Sequence, residues 1–325
     1  MDSSRNKERS YAKTLFDYIV IGAGPSGCAS AALLKKAGYA VTILEKENPG
    51  FRKVCGGGIG LEAMSAFRKI GFPVDQIKEV GNRITDYYSI INGSLKRRHL
   101  SFDEEAYGLD RKITDRFIRE YIETCLGIEI HYGVNVRETY QSNGIINAGG
   151  YSARNLILAC GATKPPSGLG APSVMQQEKP VGMSMLVRSE RQDAHYFLFD
   201  YSEEYHGTYG WIFSLGHGVF NVGLWLKPHD KELLAHEFET FIQKRSRDWI
   251  GESYEIIEPR RGFPLGVNTP WSNCPNGLYV VGDAKDGSNP QTGEGLSRAV
   301  LSAVNVFGQI PEAKTCSPES IIHIP

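Results

Sequence analysis

The stretch FDYIVIGAGPSG, Phe16 to Gly27, decides the fold. Phe16 to Ile21 is a short run of β-formers that ends directly on a glycine cluster. Ser26 to Ala37 then carries an Ala- and Leu-rich helical pattern, and Tyr39 to Leu44 (YAVTIL) reads as a second strand ending at Glu45. Together they form a β-α-β unit of about thirty residues, the length such a crossover needs. Within it, Gly22-Ala23-Gly24-Pro25-Ser26-Gly27 has the form G-x-G-x-x-G. Gly22 permits a tight turn, Gly24 lets the backbone approach a pyrophosphate, and Gly27 lets helix and strand pack closely. Pro25 and Ser26 open the helix, whose N-terminus offers free N–H groups and a positive dipole end to phosphate. Glu45, eighteen residues beyond Gly27, is placed to accept hydrogen bonds from ribose hydroxyls, with Lys46 beside it. A bare G-x-G-x-x-G is a weak sign. The strand before it, the helix after it and the acid closing the next strand make it specific.

A second glycine-rich segment lies far downstream. Gly277-Leu278-Tyr279-Val280-Val281-Gly282-Asp283-Ala284 is a strand ending in Gly-Asp, and Pro290-Gln291-Thr292-Gly293-Glu294-Gly295 opens a helix at Leu296. A nicotinamide dinucleotide alone leaves this second loop without a purpose. A longer ligand, whose far end needs its own cradle, explains it. FAD is such a ligand: Asp283 suits the ribityl hydroxyls, and the amides around Gly293, Gly295 and Leu296 suit the flavin ring.

Between the two loops the pattern changes. Residues 81–102 alternate apolar and polar positions, as in an antiparallel hairpin turning at Asn92-Gly93. Leu61 to Ile70 and Thr114 to Leu126 read as helices, and Ile128 to Val136 and Asn155 to Ala159 as strands. Val181 to Leu226 is strand-like with a turn at Gly216-His217-Gly218. Lys231 to Trp249 is helical, Leu278 to Val281 is a strand, and Gly295 to Val306 is a helix. The fold class implied is α/β, a Rossmann-type FAD-binding domain with an inserted antiparallel β-sheet substrate domain. We expect the FAD domain to comprise residues 1–80, 105–170 and 272–325, and the substrate domain residues 81–104 and 171–271. A chain of 325 residues is long enough for two such lobes.

The two loops together resemble the flavoprotein family that includes the aromatic hydroxylases and the geranylgeranyl reductases. Two further segments resemble the geranylgeranyl reductase branch. Lys53-Val54-Cys55-Gly56-Gly57-Gly58-Ile59 is similar to its cysteine-glycine loop beside the flavin. Tyr209-Gly210-Trp211-Ile212-Phe213, with Gly216 and Asn221-Val222-Gly223, is similar to its Tyr-x-Trp-x-Phe hairpin, which lines the substrate cavity. Leu109-Asp110-Arg111 resembles the segment whose arginine contacts the cofactor. The resemblance runs from about residue 16 to residue 307 in the family's order. It implies an FAD-dependent reductase of carbon–carbon double bonds in an isoprenoid or similar apolar chain, with Cys55, Tyr209 and Trp211 at the reacting centre. The chain departs from the pattern at Cys160, in Ala159-Cys160-Gly161, where the family carries aspartate. It departs again at Ser214-Leu215, where Pro-Lys is usual, and at His206, where archaeal members carry proline. It also ends soon after the helix that follows Gly295.

Local chemistry leaves two readings of Cys55 open. A free cysteine is ordinarily a small buried hydrophobe. Three following glycines expose thiol and backbone together, and a thiol kept protonated by apolar surroundings can donate a proton to a carbanion-like carbon. Tyr209, Trp211 and Phe213 alternate with Gly210 and Ile212, so on a strand they share one face. Such a wall serves as core more often than as a ligand slot until the resemblance is counted.

Composition excludes several classes. A net charge of -1 gives no field for nucleic acid, and Lys96-Arg97-Arg98 reads as a solvated hairpin end. The six cysteines show neither C-x-x-C nor metal-ligand spacing, so no metal site and no redox dithiol are expected, and the thiols suit a reducing cytoplasm. The first fifteen residues are polar and read as a frayed tail, and no apolar run approaches the ~18 residues of a membrane span. Peripheral contact with a membrane stays open. The competing enzymatic reading is a flavin monooxygenase or halogenase acting on a small aromatic or polyketide-like compound. A halogenase is expected to show Trp-x-Trp-x-Ile-Pro, and here only Trp211 is present. A third reading is a flavin- or lipid-binding protein without turnover. The electron donor, NAD(P)H or another, is not legible.

Overall fold

The computed structural model describes residues 14–168, 179–205, 208–269, 271, 276–289 and 292–310. Residues 1–13 of the expected tail, His206, Cys274, Pro290, Gln291 and Cys316 lie outside them.

The first sheet is built on β1 (Leu15–Ile21), which pairs in parallel on both sides. Ile21 lies opposite Leu44 of β2 (Val41–Glu45) and opposite Leu158 of β8 (Tyr151–Leu158). β5 (Ile130–Tyr132) adds in parallel outside β2, and β14 (Leu278–Val280) adds in parallel to Leu156–Leu158 of β8. All five residues of β2 are buried, as expected of a parallel strand covered on both faces. One covering layer is α1 (Pro25–Lys36), whose residues Pro25 to Leu34 are all buried. A helix so enclosed needs small residues, and Ala29, Ala31 and Ala32 supply them where α1 packs on α6 (Leu296–Phe307). α2 (Leu61–Ile70) has the bounds that its periodicity predicts, and α3 (Val74–Val80) follows Pro73. α4 (Arg111–Glu120) begins three residues earlier than expected, because Asp110 caps it by accepting the Lys112 N–H at 2.7 Å. Its continuation, Tyr121–Cys125, has the wider π pitch.

A meander not expected from the sequence extends this sheet. β6 (Glu138–Ser142) turns at Asn143-Gly144, both at positive φ, into β7 (Ile145–Ala148), which pairs antiparallel with the start of β8. Only one residue of β6 is buried, so no apolar alternation marks it.

The second sheet has seven strands. Its order is β13 (Tyr254–Pro264), β9 (Val181–Ser189), β12 (Val219–Leu226), β11 (Gly210–Gly216), β10 (Tyr196–Tyr201), β3 (Asp86–Ile91) and β4 (Ser94–His99). All neighbours are antiparallel except β10 and β3. The β3–β4 turn is at Asn92-Gly93, as expected, with φ of 49° and 76°. β13 escapes the sequence reading because it is a largely exposed edge broken by register shifts, and it contains Pro259.

This sheet has two different faces. Met185, Val187, Ile212, Phe220, Val222 and Leu224 pack under α5 (Leu234–Trp249), against Phe238 and Phe241. The intervening residues point the other way: Phe197, Tyr209, Trp211, Phe213 and Trp225 form a separate cluster with Ile84, Leu100 and Ala106. Period-two alternation therefore sorts β11 as its sequence predicts, with Tyr209, Trp211 and Phe213 together and Ile212 opposed.

Candidate active site

The first glycine loop joins β1 to α1. A Cβ on Gly22, which has φ +107°, would lie 2.4 Å from the Ala159 carbonyl oxygen, and one on Gly27 would lie 1.9 Å from the Gly22 oxygen. Both glycines therefore serve close packing of the turn. Gly24 has open space where a Cβ would be. It leads α1, which has no side-chain cap and no acid in its first turn. The first-turn N–H groups thus face outward without an intrahelical acceptor, the arrangement that a phosphate completes. Glu45 is buried at the end of β2. Its two oxygens accept the Ala23 N–H at 2.6 Å and the Glu47 N–H at 2.9 Å. Each oxygen keeps a lone pair for a ribose hydroxyl. Lys46 points outward beside Glu47.

The second loop meets the first. A Cβ on Gly282, which has φ +65°, would lie 2.5 Å from Ser26 Oγ, so strand end and helix start touch only because Gly282 has no side chain. The Asp283 carboxylate faces Gly295, where a Cβ would sit 3.4 Å from Oδ1, and Lys53 Nζ lies 3.5 Å away. Glu294 accepts the Ser297 N–H at 2.7 Å and so caps the start of α6, with Leu296 as its first residue. Gly293, at φ +63°, lies against the Tyr209 hydroxyl, which donates to the Thr292 carbonyl.

The Cys55–Gly58 loop lies between these parts. A Cβ on Gly56 would stand 3.0 Å from the Phe213 ring and 3.1 Å from Trp211 Nε1, and one on Gly58 would stand 3.2 Å from Phe197 and Phe213. The aromatic face of the second sheet therefore rests directly on this loop. Asn221, fully buried, accepts the Trp211 indole N–H at 2.8 Å and donates to the Cys55 carbonyl at 2.8 Å. The thiol itself is not in purely apolar surroundings, contrary to expectation. It stands beside Arg111, which is buried and bonds Asp115 at 2.6 Å. Burial opposes the guanidinium charge, but Asp115 and Cys55 more than offset it and hold the Arg111 pKa above its usual value. Burial pushes the Tyr209 hydroxyl well up, with Tyr201, Cys55 and Glu294 adding to the shift, so it stays protonated at neutral pH.

Comparison with known proteins bears on the cofactor and the class of enzyme. Residues 16–131 match the family model described as an FAD binding domain. The chain is 26% identical over 318 residues to digeranylgeranylglycerophospholipid reductase 1 of Methanopyrus kandleri, covering 88% of this chain and 78% of that protein. The chain is an FAD-dependent oxidoreductase related to the geranylgeranyl reductases. It is also 25% identical to menaquinone reductase of Mycolicibacterium smegmatis, covering 87% of this chain and 73% of that one. A solved structure of a geranylgeranyl bacteriochlorophyll reductase-like protein from Thermoplasma acidophilum superposes with a TM-score of 0.75 at 19% identity, over 95% of this chain and 81% of that one.

Several residues of this oxidoreductase's site escape sequence reading. Arg119, on α4, is buried and donates to the Ala23 carbonyl at 3.0 Å, bracing the first glycine loop. Arg52 bonds both oxygens of Asp110 at 3.1 and 3.0 Å and reaches Glu258 of β13 at 3.1 Å, so it ties the cysteine loop to the start of α4 and to the second sheet. An arginine on a helix or loop looks like a solvated charge, and no sequence signal marks these two. Asn221 has a signal in the Asn-Val-Gly segment. Cys160, at the end of β8, lies beside Lys179 and Asp283 around a cavity of about 10 Å³, on the order of one water. Burial pushes its thiol up to about 11, while Lys179 and Lys46 pull it back. No group of His, Cys, Asp and Glu able to hold a metal occurs among the described residues, and none of their helices is long and apolar enough to cross a membrane.

Proposed function

We propose that this flavoprotein saturates carbon–carbon double bonds in an isoprenoid or similar apolar chain that meets the aromatic face of the second sheet beside the Cys55–Gly58 loop. The observation that carries this reading is the face formed by Tyr209, Trp211 and Phe213, which lies on a loop of three glycines next to a thiol. The slot that such a wall borders is apolar, suited to a slender hydrocarbon. The relatives named for digeranylgeranylglycerophospholipid and menaquinone support the same class. The part carrying this slot is taken as residues 81–104 and 171–271, and the remainder as the FAD part.

The residues fit FAD. We assign the adenosine diphosphate portion to Gly22, Gly24, Pro25, Ser26, Gly27, Glu45 and Lys46. The riboflavin portion falls to Cys55, Gly56, Arg111, Gly282, Asp283, Gly293, Gly295 and Leu296. When bound, FAD supplies the hydride. Cys55 Sγ holds the proton that the substrate carbon receives. Arg111, charged at any working pH, stabilises the thiolate that this leaves, and Cys55 is exposed enough to be reprotonated from water. Tyr209 and Trp211 wall the slot and exclude water. The test is to reduce the purified protein anaerobically and follow flavin reoxidation with prenyl lipids and, separately, with oxygen. Reoxidation by the prenyl alkene, with a saturated product, is expected. Reoxidation only by oxygen in the presence of a small aromatic would replace this reading with a monooxygenase.

A further inference from the structure

Among the described residues, two buried polar groups on the aromatic face of the second sheet have no hydrogen-bond partner: the Trp225 indole Nε1 and the Ser184 hydroxyl. Trp225 is 5% exposed and Ser184 2%. Register places both on the face that carries Trp211. Ser184 lies opposite Gly223 and Gly182 opposite Trp225, while Gly223 is also opposite Trp211. Directly paired residues share a face, which sets Ser184 diagonal to Trp225 on the aromatic side. The Trp225 Nε1 atom points at the second glycine loop, 3.5 Å from where a Gly293 Cβ would be. It therefore meets the junction of that loop with the aromatic wall.

The chemistry of the two groups is unequal. An indole N–H can only donate, whereas a hydroxyl donates and accepts. Buried donors are almost always paired, because an unpaired one has given up its water for nothing. A phenylalanine would cover the same face without that cost. Beside it, Tyr209 and Trp211 have both found acceptors, at the Thr292 carbonyl and at Asn221. Among these three polar-tipped rings, only Trp225 is left with a donor aimed at the loop.

We propose that Trp225 and Ser184 form a recognition point for one oxygen-bearing group of the substrate, a hydroxyl, ether or carbonyl at the polar end of an otherwise apolar chain. The proposal rests on the reading of this aromatic face as the substrate site, and it sets a specificity: an oxygenated prenyl chain is preferred over the bare hydrocarbon. A site built to pair with an oxygen discriminates against the analogue lacking it, since the donor is then left unpaired.

The test uses the FAD-bound protein with farnesol and with the hydrocarbon of the same skeleton lacking the hydroxyl, titrated through the flavin absorbance. Wild type should bind farnesol more tightly by about three- to tenfold, the range of one ordinary hydrogen bond. Trp225→Phe and Ser184→Ala should each reduce that ratio by weakening farnesol binding alone, and Trp225→His, which keeps a ring N–H, should recover part of it. An unchanged ratio in Trp225→Phe overturns the proposal. So does a shift of the flavin midpoint potential in Trp225→Phe without prenyl ligand, which would assign the donor to the flavin. If neither probe perturbs the wild-type flavin, the substrate reading itself fails, a result distinct from a ratio of one.

Discussion

Asn221 offers the sharpest test of how the slot is held. It is fully buried and makes two hydrogen bonds of 2.8 Å, one from the Trp211 indole and one to the Cys55 carbonyl. Asn221→Leu keeps the size and removes both. Each bond contributes about 1 kcal/mol net, and a stranded buried group adds a penalty of about 1–3 kcal/mol. The indole is stranded in the core, since Trp211 is 5% exposed, and bears that penalty in full. The Cys55 carbonyl belongs to a half-buried residue and can recover a water. We therefore expect a loss of about 3 kcal/mol, read as a lower urea midpoint at unchanged slope. The same change should free the Cys55–Gly58 loop, so alkylation of Cys55 should quicken in the FAD-bound protein. Asn221→Asp separates the two arms, because it still accepts the indole N–H but sets a carboxylate against the Cys55 carbonyl. It should loosen Cys55 at least as much as leucine does. A loss below about 1 kcal/mol in Asn221→Leu, with Cys55 labelling unchanged, would refute the clamp.

Three further outcomes follow from the site. Glu45→Ala removes the carboxylate that receives the Ala23 and Glu47 amides, and FAD affinity should fall roughly ten- to a hundredfold in a titration of the apoprotein, the usual cost of bonds to a charged group. Cys55→Ala should slow prenyl reduction by at least about 10²-fold, the low end for general-acid assistance, while flavin binding measured by fluorescence stays near wild type. Cys160, raised from 9.0 to about 11, should resist alkylation at neutral pH while exposed Cys125 reacts. Folding disfavours the Cys160 thiolate, so its stabilising contribution is complete below about 9 and is lost as pH rises through about 11, which pH-dependent unfolding checks.

The parts of the fold legible in the sequence are those where burial leaves a periodic trace. β2, buried along its whole length, and α2, buried on one stripe, were placed to within two residues. β11 sorted its faces as its alternation predicts. β6 and β13 were missed because neither is covered, so their residues answer to water rather than to a packing partner. The turn at Asn143-Gly144 was readable as a hairpin signal, but without apolar flanks it had nothing to connect. At the site, the glycine motifs and the aromatic triplet were visible because spacing encodes them. Arg119 and Arg52 were not, because a buried arginine is made by the partners that reach it, here the Ala23 carbonyl, Asp110 and Glu258.

The glycines also hide a distinction that only the fold reveals. Gly22, Gly27 and Gly282 are close-packing residues: a Cβ on each would strike another part of the chain at 2.4, 1.9 and 2.5 Å. They hold the nucleotide end together by contacts between adjoining strand ends and the start of α1, whether or not a ligand is bound. Gly56 and Gly58 differ, because what their missing side chains make room for is Trp211, Phe213 and Phe197, side chains of the second sheet. That contact exists only when the second sheet lies down on the loop. Arg52 and Asn221 bridge the same junction with charge and hydrogen bonds. The nucleotide end is thus a construction of the first sheet and the helices that cover it, whereas the reacting end is assembled from the loop at Cys55, the hairpin of β11 and β12, and the turn at Gly293. Changes in either sheet that alter how these three segments meet should act on chemistry and substrate choice before they act on possession of the cofactor. The departures at Ser214-Leu215 and Cys160 fall on opposite sides of that division. Ser214 donates to the Ala194 carbonyl within the second sheet, and Cys160 adjoins the first glycine turn through Ala159.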